Sequence, residues 1–305
     1  MILGIDTSCY TTSVALCHEG KILYDLRSPL KVKEGERGLR QSDGVFIHIK
    51  ALPVLLEQLG KEMCLKDIEA VTVSTKPRPE EGSYMPVFTA GYSVAKSISH
   101  ALCVPLYETS HQEGHIMAAL ESCGETVSDR FISVHISGGT TEVLNTTKTP
   151  SGFSLECIAG SLDLHAGQLI DRIGVSMGKS FPCGKELDSL ALSVSDSVKL
   201  PVTLKGADFH LSGAEAQAMR LLEEGAEPGA VAKGVLECIG NSLIRSLDTI
   251  YEKSPFGQVL LGGGVSASKV LRNHLKSDKY KILFGDPKYS TDNACGVALI
   301  GDKLR

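Results

Sequence analysis

The chain has 305 residues, 42% hydrophobic and 22% charged, with a formal net charge of -5. This is the composition of a globular protein long enough for two domains, and the acidic balance excludes an autonomous grip on a polyanion, which needs a basic excess or stripe. Nine cysteines, odd in number and with no pair at C-x-x-C spacing, point to free thiols in a reducing compartment and exclude a cysteine-based zinc knuckle.

In chain order, Ile2 to Thr7 and Thr12 to Cys17 read as strands separated by a short polar turn, and Lys21 to Leu26 as a third after Glu19-Gly20. The first strand starts without a basic leader, and no apolar run reaches membrane-spanning length, so the expectation is a cytoplasmic protein with no membrane contact. The charged stretch from Pro29 to Gly44 reads as a mobile loop. Helical spacing of Ile49, Leu52, Leu55, Leu56 and Leu59 predicts a helix from Val45 to Gly60, with Pro53 as a candidate kink. Ile68 to Ser74 is a predicted strand, and Lys76 to Gly82 a loop, because Pro77 and Pro79 break either periodic structure. Val87 to Leu102 returns to helix and Val104 to Tyr107 to strand.

Directly after that strand comes His111-Gln112-Glu113-Gly114-His115. Two histidines four apart share one face of a helix and can share a metal ion. Surface or capping histidines would show the same spacing, so the pair alone leaves both readings open.

The order of elements then repeats. Phe131 to Ile136, Thr141 to Leu144 and Phe153 to Ile158 form a second strand meander with Ser137-Gly138-Gly139-Thr140 in its first turn. Asp163 to Met177 is helical, Cys183-Gly184 opens another helix, and Pro201 to Ser212 reads as irregular. Ala230 to Tyr251 is a long amphipathic helix. Gln258 to Leu261, Gly262-Gly263-Gly264 and Ala267 to Leu275 make strand, glycine turn and helix; Lys281 to Phe284 is the last strand and Asp292 to Ile300 the last helix. Comparing Ile5-Asp6-Thr7-Ser8 with His135-Ile136-Ser137-Gly138 suggests two related halves. That is the plan of the α/β, duplicated RNase H-like, actin-like fold of sugar kinases and heat-shock ATPases (ASKHA). The expected lobes are 1–125, completed by the helix 292–305, and 126–291, which carries a helical insertion. In this plan glycine turns let backbone N–H groups approach nucleotide phosphates, and a helix after Gly262–Gly264 would add its N-terminal donors. Ordinary glycine turns have the same composition.

Several segments together carry a more specific signal: Gly4-Ile5-Asp6-Thr7-Ser8-Cys9, the histidine pair, Ser137-Gly138-Gly139-Thr140-Thr141, and Asp163 with Gly167, Gln168 and Asp171. To these add Pro182-Cys183-Gly184-Lys185, Asp208-Phe209-His210-Leu211-Ser212-Gly213, Gly263-Gly264-Val265-Ser266-Ala267-Ser268 and Thr291-Asp292-Asn293-Ala294. Over essentially its whole length the chain resembles the TsaD/Kae/Gcp family, once called O-sialoglycoprotein endopeptidases. Most members transfer threonylcarbamoyl from its adenylate to N6 of adenosine 37 in tRNA. The resemblance implies one divalent metal, zinc or iron, on His111, His115 and Asp292, with open positions for substrate. His135 stands where the archaeal branch has a metal-binding tyrosine, and is the implied fourth ligand; the alternative is a hydrogen-bonded strand histidine. Asn293 is then a helix cap or a support for the ligands.

The same resemblance places ATP, AMP or an acyl-adenylate, with magnesium as a further ion, against Asp171, Gly184 and Asp188 at the ribose and adenine. Gly263, Gly264 and Ser268 come near the adenine or phosphates, and Ser137, Gly138 and Gly139 near the carbamoyl end. Asp6 and Ser8 face the reacting groups, and with Ser137 are the implied catalytic residues. Implied partners are tRNA, TsaB-like and TsaE-like subunits, and a homodimer or heterodimer.

Departures from the family pattern fall on these same segments. Its Asp-Glu pair is Tyr10-Thr11 here, and neither residue offers a base near neutral pH. T-x-G-P-G has become Ser74-Thr75-Lys76-Pro77-Arg78-Pro79. Gln168 replaces a glutamate, Ser268 an asparagine, and Ala214-Glu215 a Leu-Lys pair. The expected function is the threonylcarbamoyl transfer of the family; the alternatives are a divergent paralogue with another acyl or carbamoyl acceptor, or a non-catalytic nucleotide-binding subunit. Proteolysis is not expected, because the glutamate of His-Gln-Glu-Gly-His projects from a different helix face than a zincin base does.

Overall fold

The computed structural model describes residues 1–8, 10–30 and 39–305, so residues 31–38, half of the charged stretch read as a loop, lie outside the described residues. The chain divides into two compact units, one made of residues 1–122, 148–154 and 291–305, the other of residues 123–147 and 155–290.

The first unit is built on a five-stranded sheet. β1 (Ile2–Ser8), β2 (Thr11–His18) and β3 (Lys21–Pro29) are an antiparallel meander, and β4 (Ala70–Lys76) and β5 (Leu106–Ser110) add in parallel, giving the order β3-β2-β1-β4-β5. Strand alternation sorts β1 into two faces. Leu3 and Ile5 join a core with Val14, Leu16, Val71 and Val73 under α1 (Gln41–Glu62) and α2 (Phe88–Leu102). Thr7, on the same face, donates to the Val87 carbonyl and accepts from Gly91 N. Gly4, Asp6 and Ser8 point the other way. α1 begins at Gln41 rather than Val45 and continues through Pro53 as one helix, with Leu52, Leu55 and Leu59 buried. α3 (His111–Ser122) follows β5 without a loop.

The second unit repeats the scheme. β6 (Arg130–Ile136), β7 (Thr141–Thr149) and β8 (Gly152–Gly160) form its meander, except that the tip joining β7 to β8, residues 148–154, counts with the first unit. After α4 (Ala166–Ser176), α5 (Gly184–Leu192), β9 (Thr203–Lys205), β10 (Asp208–His210), α6 (Ser212–Glu223) and α7 (Pro228–Lys253) come β11 (Gln258–Gly262), α8 (Lys269–His274) and β12 (Lys281–Phe284). β11 pairs in parallel with β6 and β12, so the order β12-β11-β6-β7-β8 mirrors that of the first sheet. α7 supplies the middle of this unit's core through Val231, Val235, Ile239, Leu243 and Leu247, spaced at helical intervals. Its start is set by Pro228 in the first turn and by Glu227, which accepts from Gly229 N and Ala230 N.

Three expectations change. Residues 201–212 are not irregular: β9 and β10 pair antiparallel in the order Lys205↔Asp208 to Thr203↔His210. α6 was not foreseen. Its start is held by Asp163, which accepts from Leu211 N, Ser212 N and the Ser212 hydroxyl; burial would raise this carboxyl, but the donors hold it down at about 2. The last helix, α9 (Cys295–Leu304), starts after Asp292, which therefore lies in a loop. α9 returns to the first unit and lies on the Gly4 face of β1. It meets α3 so closely that a Cβ on Gly296 would overlap the Gly114 carbonyl, which only glycine allows.

Candidate metal centre and nucleotide-binding turns

The start of α3 is fixed by its own sequence. Ser110 Oγ accepts from Glu113 N at 3.2 Å, and Glu113 accepts from Ser110 N at 2.9 Å and from Ser110 Oγ at 2.7 Å, a reciprocal capping box. Glu113 also accepts from Thr109 Oγ1 and Phe153 N. Gln112 N donates to the Pro77 carbonyl at 3.0 Å, which ties the Lys76–Gly82 loop to the first turn of α3. Glu113 is thus buried and fully engaged in holding the helix start, which leaves His111 in the first turn and His115 one turn on.

The two imidazoles converge with Asp292. His111 Nε2 and His115 Nε2 are 3.1 Å apart, and Asp292 Oδ1 lies 3.6 Å from the first and 3.4 Å from the second. Donors about 2.0–2.1 Å from a tetrahedral ion sit about 3.3–3.4 Å from one another, so the three spacings fit one face of such a site. Among the described residues these three form the cluster of side chains able to hold a metal ion.

Around them lies a supporting layer. His111 Nδ1 is 3.0 Å from Asp6 Oδ1, which fixes the tautomer with Nδ1–H donated to the carboxylate and Nε2 turned to the cluster. Asp6 is fully buried and accepts in addition from Ser8 N and from the Ser74 hydroxyl. Ser8 Oγ donates to Asp292 Oδ2 at 3.0 Å. Asn293 accepts from Cys295 N at 2.9 Å and donates to the Thr291 carbonyl, so from the residue before the cap it serves the first N–H of α9 and shapes the loop that presents Asp292.

The electrostatics suit a cation. Burial alone would raise the Asp6 and Asp292 carboxyls, but His111 beside both, Ser74 beside Asp6 and His115 beside Asp292 outweigh it, lowering Asp6 and holding Asp292 well below the usual range. Burial alone would lower His111, but the two carboxylates raise it well above its ordinary value. Without a metal the two carboxylates thus favour a proton on His111, and a divalent ion at Nε2 would have to displace it before the two carboxylates could balance the ion's charge.

In the second unit the predicted nucleotide residues fall into two groups. Gly138 and Gly139 have open space where a side chain would stand, as do Gly184 and Gly264. The turn holding the first two is closed by Ser137, whose N donates to the Thr140 carbonyl at 2.8 Å and whose hydroxyl accepts from Thr140 N. Gly263, at φ 88°, crosses the end of β6 against the Ile136 carbonyl, a position closed to any side chain.

The carboxylates behave differently. Asp171 accepts from Cys183 N at 2.8 Å and burial raises its pKa. Asp188 accepts from Lys269 N at 3.1 Å, Val270 N at 3.2 Å and the Ser268 hydroxyl, while Ser268 Oγ accepts from Leu271 N. The N-terminal donors of α8, expected to be free for phosphate, are therefore already taken by Asp188 and Ser268. Gln168 closes a capping box on α4 by accepting from His165 N at 3.1 Å, a task its amide oxygen performs as well as a carboxylate would. His135 is half-buried on β6, opposite Glu142 in the ladder.

Two contributors escaped the reading of the sequence. Ser74 had no local signal, because its partner Asp6 lies 68 positions away. Ser110 had one: Ser-x-x-Glu before an apolar run marks a helix start. No disulfide joins two of the eight described cysteines, and no described helix is long and apolar enough to cross a membrane.

Among solved structures, the chain is similar to full-length HypF in its phosphate- and nucleotide-bound form, with TM-score 0.64 at 15% identity over 99% of this chain and 46% of that one. It is also similar to the activator of the 2-hydroxyisocaproyl-CoA dehydratase from Clostridium difficile with bound ADPNP, with TM-score 0.59 at 15% identity over 99% and 95%. These likenesses bear on the fold, which is the duplicated α/β actin-like one. A tRNA N6-adenosine threonylcarbamoyltransferase of Thermus thermophilus is 31% identical, over 98% of this chain and 91% of its own. A family model described as TsaD, tRNA N6-adenosine threonylcarbamoyltransferase, matches residues 47–299. With this match over most of its length, the chain belongs to the TsaD family.

Proposed function

We propose that the protein is a metal-dependent transferase that moves a threonylcarbamoyl group from its adenylate to N6 of adenosine 37 in tRNA. The observation that carries this reading is the convergence of His111, His115 and Asp292, with Asp6 behind His111. A zinc or iron ion held there would polarise the carbonyl of the group being transferred.

The chain's own residues set the conditions for attack. Asp6 acts as a positioning residue: it keeps the His111 proton on Nδ1 and leaves Nε2 as a donor. Ser8 holds the second oxygen of Asp292, so that one oxygen alone faces the histidines. On the second unit, the open backbone at Gly138, Gly139 and Gly264 offers room for the phosphate of an adenylate, and Asp171 and Gly184 for its ribose. Asp188 supports this site by fixing α8 and Ser268. In the transfer, adenosine N6 forms the new C–N bond to the carbonyl carbon, the bond from that carbon to the adenylate oxygen breaks, AMP leaves, and one N6 proton passes to solvent.

The test is a coupled assay with purified protein, threonylcarbamoyl-adenylate, tRNA and TsaB-like and TsaE-like subunits, read by mass spectrometry of the tRNA nucleosides. Wild type should yield N6-threonylcarbamoyladenosine and hold about one equivalent of metal. His115→Ala should lose both; a variant that keeps full metal and full product removes this reading.

A second reading, transfer to another acceptor, is favoured by one observation. Tyr10, where the family has a carboxylate, is 49% exposed at the turn between β1 and β2, and Thr11 opens β2. Release of AMP from the adenylate with no modified tRNA would select this reading.

A further inference from the structure

Thr291 and Cys295 bracket the loop that carries Asp292, and both face one guanidinium. Arg27, on the edge strand β3, donates from Nη1 to Thr291 Oγ1 at 2.9 Å and also meets the Cys295 thiol at the first position of α9. Its plane is locked from behind: Nε donates to Asp25 Oδ1 at 2.8 Å and Nη2 to Asp25 Oδ2 at 2.6 Å, a bidentate pair. The register explains the reach. Arg27 stands opposite Ser13 and Ser13 opposite Asp6, so the three share the sheet face on which α9 lies.

We propose that Arg27 is a positioning residue for the metal centre, clamping the Thr291–Cys295 loop to the sheet so that Asp292 meets His111 and His115. The inference rests on the metal reading above. Two features favour it over a general stabilising role. The clamp acts on both sides of a single ligand, leaving Asp292 with one orientation relative to β1, where Ser8 already holds its other oxygen. Asp25 cancels the charge of Arg27, so the guanidinium can stand near the site without repelling a cation; an arginine placed there only for charge would need no such partner.

Thr291 is exposed, so its hydroxyl can be changed without touching the core. Thr291→Val keeps the shape and removes the acceptor, Thr291→Ser keeps the hydroxyl, and Arg27→Ala removes the clamp. Zinc affinity is measured by competition with a chromophoric chelator, and the ligand field by the visible spectrum of the cobalt(II)-loaded proteins. Expected are a loss of about 10–100-fold in affinity for Thr291→Val and Arg27→Ala, an altered cobalt spectrum in both, and wild-type behaviour in Thr291→Ser. Wild-type affinity and spectrum in Thr291→Val overturn the inference, even where Arg27→Ala fails to fold. A wild-type protein that takes up neither zinc nor cobalt overturns the metal reading and this inference with it, whereas uptake that no variant changes overturns this inference alone.

Discussion

His48 is fully buried in α1, bound through Nδ1 to Thr12 Oγ1 at 2.8 Å, with no hydrogen-bond partner for Nε2 among the described residues. Burial lowers its pKa from 6.5, and the nearby Asp6 and the Ser8 backbone only partly offset this. The folded protein therefore resists binding a proton that the unfolded chain accepts. The neutral ring's contribution to stability is complete above the unfolded value of about 6.5 and is lost as pH falls below it toward the lowered folded value, with a slope of at most about 1.4 kcal/mol per pH unit. Between pH 8 and pH 5.5 the urea midpoint should fall less in His48→Gln than in wild type; parallel falls would show that His48 is not the group responsible. What the sequence revealed at this scale was limited to local spacing. His111 and His115 are four apart and visible. Asp6, 105 positions from His111, showed only as a member of a motif, and its hydrogen bond to that ring depends on sheet register.

At the scale of elements, the candidate metal centre depends on how α9 sits against α3 and β1. Gly296 faces the Gly114 carbonyl, and Gly4 would place a Cβ 2.7 Å from the Ala294 carbonyl and from Ala298. Gly296→Ala should push the two helices apart, costing about 3 kcal/mol or more in denaturant unfolding and weakening zinc uptake in the same protein. Unchanged stability with unchanged uptake would mean that the close approach has no part in the site. Most elements were legible because apolar periodicity is strong in them; the strands of both meanders and α7 are examples. α6 was not. Its sequence, rich in alanine and glutamate, shows a thin apolar stripe, and its cap is Asp163, 49 positions from Ser212. β9 and β10, three residues each, are too short to show alternation.

For the whole molecule, the repeat was visible as an order of elements and hardly at all as residue identity, since a duplicated sheet constrains burial and direction rather than side chains. The two sheets share one strand order and one pattern of antiparallel and parallel neighbours. The net charge of -5 also acts at this scale. The chain alone should hold labelled tRNA weakly in fluorescence anisotropy at physiological salt, with a Kd no tighter than about 10⁻⁶ M, and a partner subunit should tighten it. Tight binding by the chain alone would require a concentrated basic patch.

The first unit is discontinuous in sequence, and this gives the candidate metal centre a history. During synthesis His111 and His115 emerge early, and Asp292 follows only after residues 123–290, which include the whole of the second unit, have been made. Until then the nascent chain offers two imidazoles and no third donor, a half-site that binds metal poorly and releases it readily. On the proposed metal reading, loading with an ion would follow the closing of the first unit by α9.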